Sequence, residues 1–311
     1  MGEISVKTGN NARNGGKNSL NRLIRCVYGK KIGPDPRNFN QRVSLGRNDL
    51  LIRTFLKDGR SLGQGSFGEV FKVDVYNLTQ THMTTYARKY FSPCPDFDKT
   101  AIKELTDLRQ RFLVEIKTQC TLNRINYDSI APIVLFNTNG DKPYFVMELA
   151  ECNLYEAIRN GMNYAERKSA VTQILKGIIT IHENNYIHRD LKPGNILYYA
   201  DGKYKISDFG LVKDRDTLRA EIKTKFKPNH MGTDGYRAPE IHDSGLFSFQ
   251  SDIFAAGKII TDIYPTERSE KLKRLIAKCC AHWPEERYQS TRELLEDFLK
   301  VTGEVNHEEH N

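Results

Sequence analysis

Two hydrophobic periods divide this sequence between them, and their order limits the fold. Between about residues 51 and 92 the pattern is that of strands. "SFGEVFKVDVY" intersperses Phe67, Val70 and Val73 among polar residues, and "THMTTYARKYF" is rich in β-branched and aromatic residues. "TAIKELTDLRQRFLVEIKTQCTLNRI" then spaces its apolar residues three and four apart, which predicts a helix. "APIVLFNT" and "KPYFVMEL" predict two more strands. From residue 152 the helical period dominates, as in "ERKSAVTQILKGIITIHENN". Strands first and helices later imply an α+β chain, with a small β-rich part ahead of a larger helical one.

Composition narrows the setting. The chain is 39% hydrophobic and 28% charged, and no apolar run approaches the ~20 residues that span a bilayer. The start, "MGEISVKTGN", has no apolar signal core, and Val6 stands where a myristoylation motif wants Ser or Thr. A cytoplasmic protein without a transmembrane segment is expected. Six cysteines form no CxxC pair and accompany no paired histidines, so reduced packing thiols are expected, with no disulfide framework or zinc site. Of the net charge of +8, residues 1–50 hold +7, from ten Lys/Arg against three acids. Their first twenty residues, rich in Asn, Gly and Lys, bury too little apolar area to order themselves. The head is read as a solvated tail, an autoinhibitory arm, or a contact for an anionic partner such as nucleic acid or a membrane surface.

Four short stretches carry chemistry. "LGQGSFGEV" sets Gly63, Gly65 and Gly68 in a GxGxxG pattern after Leu62, and glycines let backbone N–H groups approach phosphates. A dinucleotide fold would open a helix here, whereas "EVFKVDVY" continues as a strand, which favours a hairpin over a nucleotide. One strand later, Lys89 in "YARK" is placed to reach α- and β-phosphates, and Glu115 in "FLVEIKTQ" is the acid best placed to hold it. In "HRDLKPGN", Asp190 can accept a proton from an attacking hydroxyl, Lys192 can neutralise a transferring phosphoryl group, and Asn195 can ligate a divalent ion. In "KISDFGLV", Asp208 precedes a glycine turn, where a carboxylate can hold Mg²⁺.

The order GxGxFG, AxK, Glu, HRDxKxxN, DFG and Ala238-Pro239-Glu240 resembles that of eukaryotic-like Ser/Thr protein kinases over roughly residues 56–300. The resemblance implies a bilobal fold with ATP bound between lobes. It implies a basic, partly disordered extension at 1–50, an N-lobe at 51–147, a hinge at 148–151, a C-lobe at 152–300 and a tail at 301–311. It implies transfer of the γ-phosphoryl group of Mg-ATP to Ser/Thr hydroxyls of a protein substrate, with autophosphorylation. Lys89 paired to Glu115 would orient the phosphates, Asn195 and Asp208 would hold Mg²⁺, and Asp190 would deprotonate the substrate. Val70, Ala87 and Leu197 resemble the residues that sandwich adenine, Met147 the gatekeeper, and Glu148 and Ala150 the hinge residues whose backbone meets the adenine edge. Lys192 and the "GTDGYRAPE" segment resemble Ser/Thr rather than Tyr kinases, with Thr233 contacting Asp190 and Lys192. Asp252 resembles the helical acid that braces the catalytic loop, and Arg287 the partner of Glu240.

Three departures qualify the resemblance. Only 34 residues separate Asp252 from Arg287, short for the family, as if a helical subdomain were trimmed. Gln119 stands where the family places an apolar spine residue, so either the helix register differs by one or the spine is polar. Arg189 resembles an arginine that binds a phosphate on the activation segment, yet the usual phosphosite is Asn229, which leaves Thr217 and Thr224. A pseudokinase that only binds nucleotide and a small-molecule kinase of the aminoglycoside type are the competing readings. The complete set of catalytic residues argues against the first, and "GTDGYRAPE" against the second.

Overall fold

The structure, a computed structural model, describes residues 3–4, 44–45, 48–49, 54–64, 68–76, 83–92, 102–140, 142–214, 235–266 and 268–303. Gly65, Thr217, Thr224, Asn229, Thr233 and most of the basic head therefore lie outside the described residues. The chain divides into two compact units, Met1–Asp98 with Pro132–Leu149, and Lys99–Ala131 with Ala150–Asn311.

The first unit is an antiparallel sheet. Its strands are β1 (Thr54–Gln64), β2 (Gly68–Tyr76), β3 (Met83–Phe91), β4 (Ile133–Asn137) and β5 (Tyr144–Glu148). Their order is β1-β2-β3-β5-β4, with Glu3–Ile4 paired on the outer edge of β1. The β-branched and aromatic residues that predicted β3 lie in it, and the register sets Val70 opposite Lys89 and Ala87 opposite Met147. Period-2 geometry puts Ala87 and Lys89 on one face and Arg88 on the other. Gly68 is required where β2 meets β3, because a Cβ there would lie 2.4 Å from the Tyr90 carbonyl oxygen. Arg88 is only 6% exposed. Its Nε donates to Asp58 Oδ1 at 2.9 Å, and its guanidinium lies 4.7 Å from the Tyr90 ring centre and 5.1 Å from that of Tyr144. The Tyr90 hydroxyl donates to the other Asp58 oxygen at 2.9 Å, which closes the cluster.

The second unit is mainly helical. It contains α1 (Ile102–Ile125), α2 (Leu154–Arg159), α3 (Tyr164–Glu183), α4 (Pro239–Ser244), α5 (Phe249–Ile263), α6 (Glu270–Cys279) and α7 (Thr291–Gly303). Asn153 with Glu156 and Asn163 with Glu166 form capping boxes that start α2 and α3. The helical period seen in the sequence of α3 becomes its buried stripe. Val171, Ile174 and Ile178 share one core with Ile253, Ile259 and Ile260 of α5, and with Leu294 and Phe298 of α7. Short strands carry the site: β6 (Cys152–Asn153), β7 (Tyr186–Ile187), β8 (Ile196–Tyr198), β9 (Tyr204–Ile206) and β10 (Lys213–Asp214). β8 lies between β6 and β9, and β7 pairs with β10. Cys120, Cys152, Cys279 and Cys280 are free thiols, and burial raises each above the ordinary cysteine pKa.

Arg287 joins α4 to the α6–α7 connection. Its side chain is 0% exposed, yet every N–H of its fork has an acceptor. Nη1 and Nη2 reach the two Glu240 oxygens at 2.8 and 2.7 Å. The remaining donors meet the carbonyls of Ala281, Gln250 and His282 at 2.8, 3.0 and 2.9 Å. A lysine at this position keeps the charge but cannot reproduce the fork. Arg287→Lys is expected to lower unfolding stability by about 2–4 kcal/mol, read from the urea midpoint at constant m-value.

Candidate active site

The buried carboxylate of Asp252, in the first turn of α5, organises the loop after β7. Its Oδ2 accepts the His188 backbone N–H at 2.7 Å, and its Oδ1 that of Arg189 at 3.0 Å. Oδ2 also accepts from His182 Nε2 at 3.0 Å, and His182 Nδ1 lies 2.9 Å from the Thr291 hydroxyl. Arg189 takes a left-handed φ of 71°, costly for a side-chain-bearing residue, and the carboxylate receives both N–H groups of that turn. Burial by itself would raise the Asp252 pKa. The His182 hydrogen bond and charge, together with His188, outweigh it and leave the carboxyl below its ordinary value.

Beyond the turn, the acid, the amine and the amide converge. Asp190 Oδ2 lies 3.1 Å from Lys192 Nζ and accepts from Asn195 Nδ2 at 3.0 Å. The same Nδ2 donates to the Asp190 carbonyl at 2.8 Å. Both amide hydrogens of Asn195 are thus used on Asp190, which leaves its Oδ1 as the group that can ligate a cation. The Asn195 carbonyl accepts from the Ser207 N–H at 2.9 Å and the Ser207 hydroxyl at 3.0 Å, which fixes the residue just before Asp208. Asp208 is also left-handed, with φ 61°.

His188 bridges the two halves of this arrangement. The Asp190 N–H donates to its Nδ1 at 3.3 Å, so its Nε2 carries the proton donated to the Ser207 carbonyl at 3.1 Å. Phe209, fully buried, meets the His188 ring edge-on at 5.0 Å. Asn195 Oδ1 and the Asp208 carboxylate are hard oxygen donors, and Mg²⁺ takes one or two such groups and completes its shell with phosphates and water. The donor chemistry therefore fits Mg²⁺. Asp190 lines a small pocket together with Arg189, Leu191, Tyr236, Arg237 and Phe247. The Arg189 guanidinium stacks on Phe247 at 4.0 Å, and the Tyr236 hydroxyl donates to Asp262 at 2.5 Å.

Asp190, Lys192 and Asn195 are joined by direct contacts, Asp252 meets the Arg189 backbone, and Glu240 meets Arg287. Ala150 and Leu197 also lie in the second unit, as does Glu115, which is 1% exposed on α1. Leu62, Gly63, Gly68, Val70, Ala87, Lys89 and Glu148 belong to the first unit, where Lys89 is 7% exposed. Gln119 is fully buried and its Nε2 donates to the Ala131 carbonyl at 2.9 Å. His182, Thr291 and Ser207 went unnoticed in the sequence. Each acts through a partner at least twelve residues away, and no spacing marks it.

The chain matches the protein kinase domain model over residues 56–265. It is similar to cyclin-dependent kinase F-3 of Oryza sativa subsp. japonica, 30% identical over 66% of this chain and 43% of the relative. It is also similar to the mitogen-activated protein kinase mpkA of Aspergillus fumigatus, 33% identical over 69% of this chain and 49% of the relative. With the putative cysteine-rich receptor-like protein kinase 33 of Arabidopsis thaliana it shares 26% identity over 92% of this chain and 44% of the relative. The chain thus spans less than half the length of these three relatives.

Replacing Asp252 leaves two backbone donors and His182 facing an empty acceptor position. Asp252→Ala is expected to cost about 3–5 kcal/mol in urea unfolding at neutral pH. A depressed folded-state pKa means that the Asp252 contribution is fully present above the ordinary carboxylate range. It is lost as pH falls through the lower folded value. Unfolding curves of Asp252→Ala should therefore show a smaller loss of stability on acidification than those of the wild type.

Proposed function

The chain belongs to the protein kinase family, and we propose that it transfers the γ-phosphoryl group of Mg-ATP to Ser or Thr hydroxyls of a protein substrate, itself included. The observation that carries this reading is the convergence of Lys192 and Asn195 on Asp190, with Asn195 hydrogen-bonded to the residue before Asp208. In the reaction, Asp190 accepts the proton of the substrate hydroxyl while the hydroxyl oxygen forms its bond to the γ-phosphorus. The bond from that phosphorus to the β–γ bridging oxygen breaks, and ADP leaves with the electron pair. Lys192 offsets charge on the moving phosphoryl group. Asn195 and Asp208 would hold Mg²⁺, which would supply positive charge to offset that of the phosphates. Lys89 is assigned to the α- and β-phosphates and Glu115 to the same machinery. Leu62, Gly63, Gly65, Gly68, Val70, Ala87, Glu148, Ala150 and Leu197 are assigned to the nucleotide.

Lys192 and the "GTDGYRAPE" segment support Ser/Thr over Tyr as acceptor. Among the described residues no helix is long and apolar enough to cross a membrane. A cytoplasmic setting and an anionic partner for residues 1–50 are further parts of the proposal, the second supported by the +7 balance of that segment.

Purified wild type should transfer label from γ-labelled ATP to a generic protein substrate. Asp190→Asn and Lys89→Ala should each lower that rate by at least about 10²-fold while keeping the wild-type urea midpoint. Persistent autophosphorylation of Asp190→Asn would sink the assignment. Arg189 is proposed to hold an anion on the activation segment. Mass spectrometry should then find phosphate on Thr217 or Thr224, and the double Ala variant should lose activity several-fold.

A further inference from the structure

The buried face of α1 is not uniformly apolar. Leu108, Phe112, Ile116 and Cys120 are buried, but so are Gln119 and Asn123, at 0% and 1% exposure. A buried amide is costly unless it is hydrogen-bonded. Gln119 Nε2 donates to the Ala131 carbonyl at 2.9 Å, and Asn123 Nδ2 to the Ile130 carbonyl at 2.7 Å. Asn126, just past the helix, donates from Nδ2 to the Thr180 hydroxyl of α3 at 2.8 Å.

The segment these amides hold is itself bonded to β9. The Ser129 carbonyl accepts from the Ile206 N–H at 2.8 Å, and the Ala131 N–H donates to the Ile206 carbonyl at 2.9 Å. Three successive carbonyls are therefore occupied, one by the strand and two by side chains of α1. Gly177 of α3 closes the other side. A Cβ there would lie 2.8 Å from Ile206 Cδ1 and 3.2 Å from the Ser129 carbonyl oxygen. Two residues beyond Ile206 is Asp208.

We propose that Gln119, Asn123 and Asn126 form a polar clamp that makes α1, residues 129–131 and the strand leading to Asp208 one rigid body, with Gln119 as a positioning residue for the metal-holding end of the site. The functional half of this rests on the phosphoryl-transfer reading above. Glu115 sits one turn before Gln119 on the same helix, so the clamp keeps Glu115 and Asp208 in a fixed relation. An apolar residue at 119 would fill the volume but remove the donor to the buried Ala131 carbonyl.

The test compares the full chain as wild type, as Gln119→Leu, which keeps apolar bulk, and as Gln119→Glu, which keeps the shape but presents an acceptor to the Ala131 carbonyl. Hydrogen–deuterium exchange of peptides covering 126–131 and 204–210 reads the clamp without catalysis, and phosphotransfer against Mg²⁺ concentration at saturating ATP reads its use. Both variants should exchange about fivefold to tenfold faster in those segments, with α5 and α7 unchanged. Both should also need several-fold more Mg²⁺ for half-maximal rate. Wild-type exchange in Gln119→Leu would reduce Gln119 to a space filler. Faster exchange with an unchanged Mg²⁺ requirement would deny it a positioning role. Either result overturns the proposal. A wild type that transfers no phosphate would remove the kinase reading, while the exchange comparison still decides the clamp. Should the residue 119 variants fail to fold, Asn126→Ala, at the half-buried end of the clamp, supports the same comparison.

Discussion

One buried carboxylate holds the loop that carries Asp190, Lys192 and Asn195. Asp252 accepts the N–H groups of His188 and Arg189 and the imidazole N–H of His182. Hydrogen bonds to an ionised acceptor are about twice as strong as neutral ones, which suits a turn that sets Arg189 in the left-handed region. From this anchor the order passes outward through neutral groups. His188 holds the Ser207 carbonyl, Ser207 holds the Asn195 carbonyl, and the Asn195 amide holds Asp190. Asp190 and the residue before Asp208 thus derive their placement from one charge on α5.

α5 carries more than that anchor. Its last turn supplies Asp262 to Tyr236, and the Phe254 ring lies 5.1 Å from the Arg287 guanidinium. The 34 residues between Asp252 and Arg287 hold the remainder of α5, α6 and the turn that ends at Arg287. Trp283, at 57% exposed, and Leu246, at 66%, are open to solvent near the two ends of the Arg287 brace.

Much of this was legible in the sequence because it is periodic or ordered. The β-branched and aromatic run "THMTTYARKYF" became β3, and the helical period of "ERKSAVTQILKGIITIHENN" became α3. The spacing within "HRDLKPGN" gave three groups that do meet, because all lie within one turn. What stayed hidden were pairings made by tertiary packing. Arg88 and Lys89 are adjacent cations on one strand, yet Arg88 faces the other side and binds Asp58, thirty positions earlier. His182 reads as the polar end of a helix until Asp252 and Thr291 are brought to it. Gln119 looked like a fault in the apolar pattern because its acceptor is a backbone carbonyl, which no side-chain pattern encodes.

The sequence separations within the Asp252 cluster bear on how the site comes to exist. His188 lies 64 positions from Asp252 and His182 lies 70, while Thr291 stands 109 positions from His182. Contacts of such range form slowly, because the intervening chain must be closed before they stabilise anything. A nascent chain that ends before α5 contains all of "HRDLKPGN" but lacks the carboxylate that shapes its turn. During synthesis the unit would therefore acquire its catalytic geometry only once α5, and then α7, had emerged and packed. The shape of the "HRDLKPGN" turn would thus be a late product of folding.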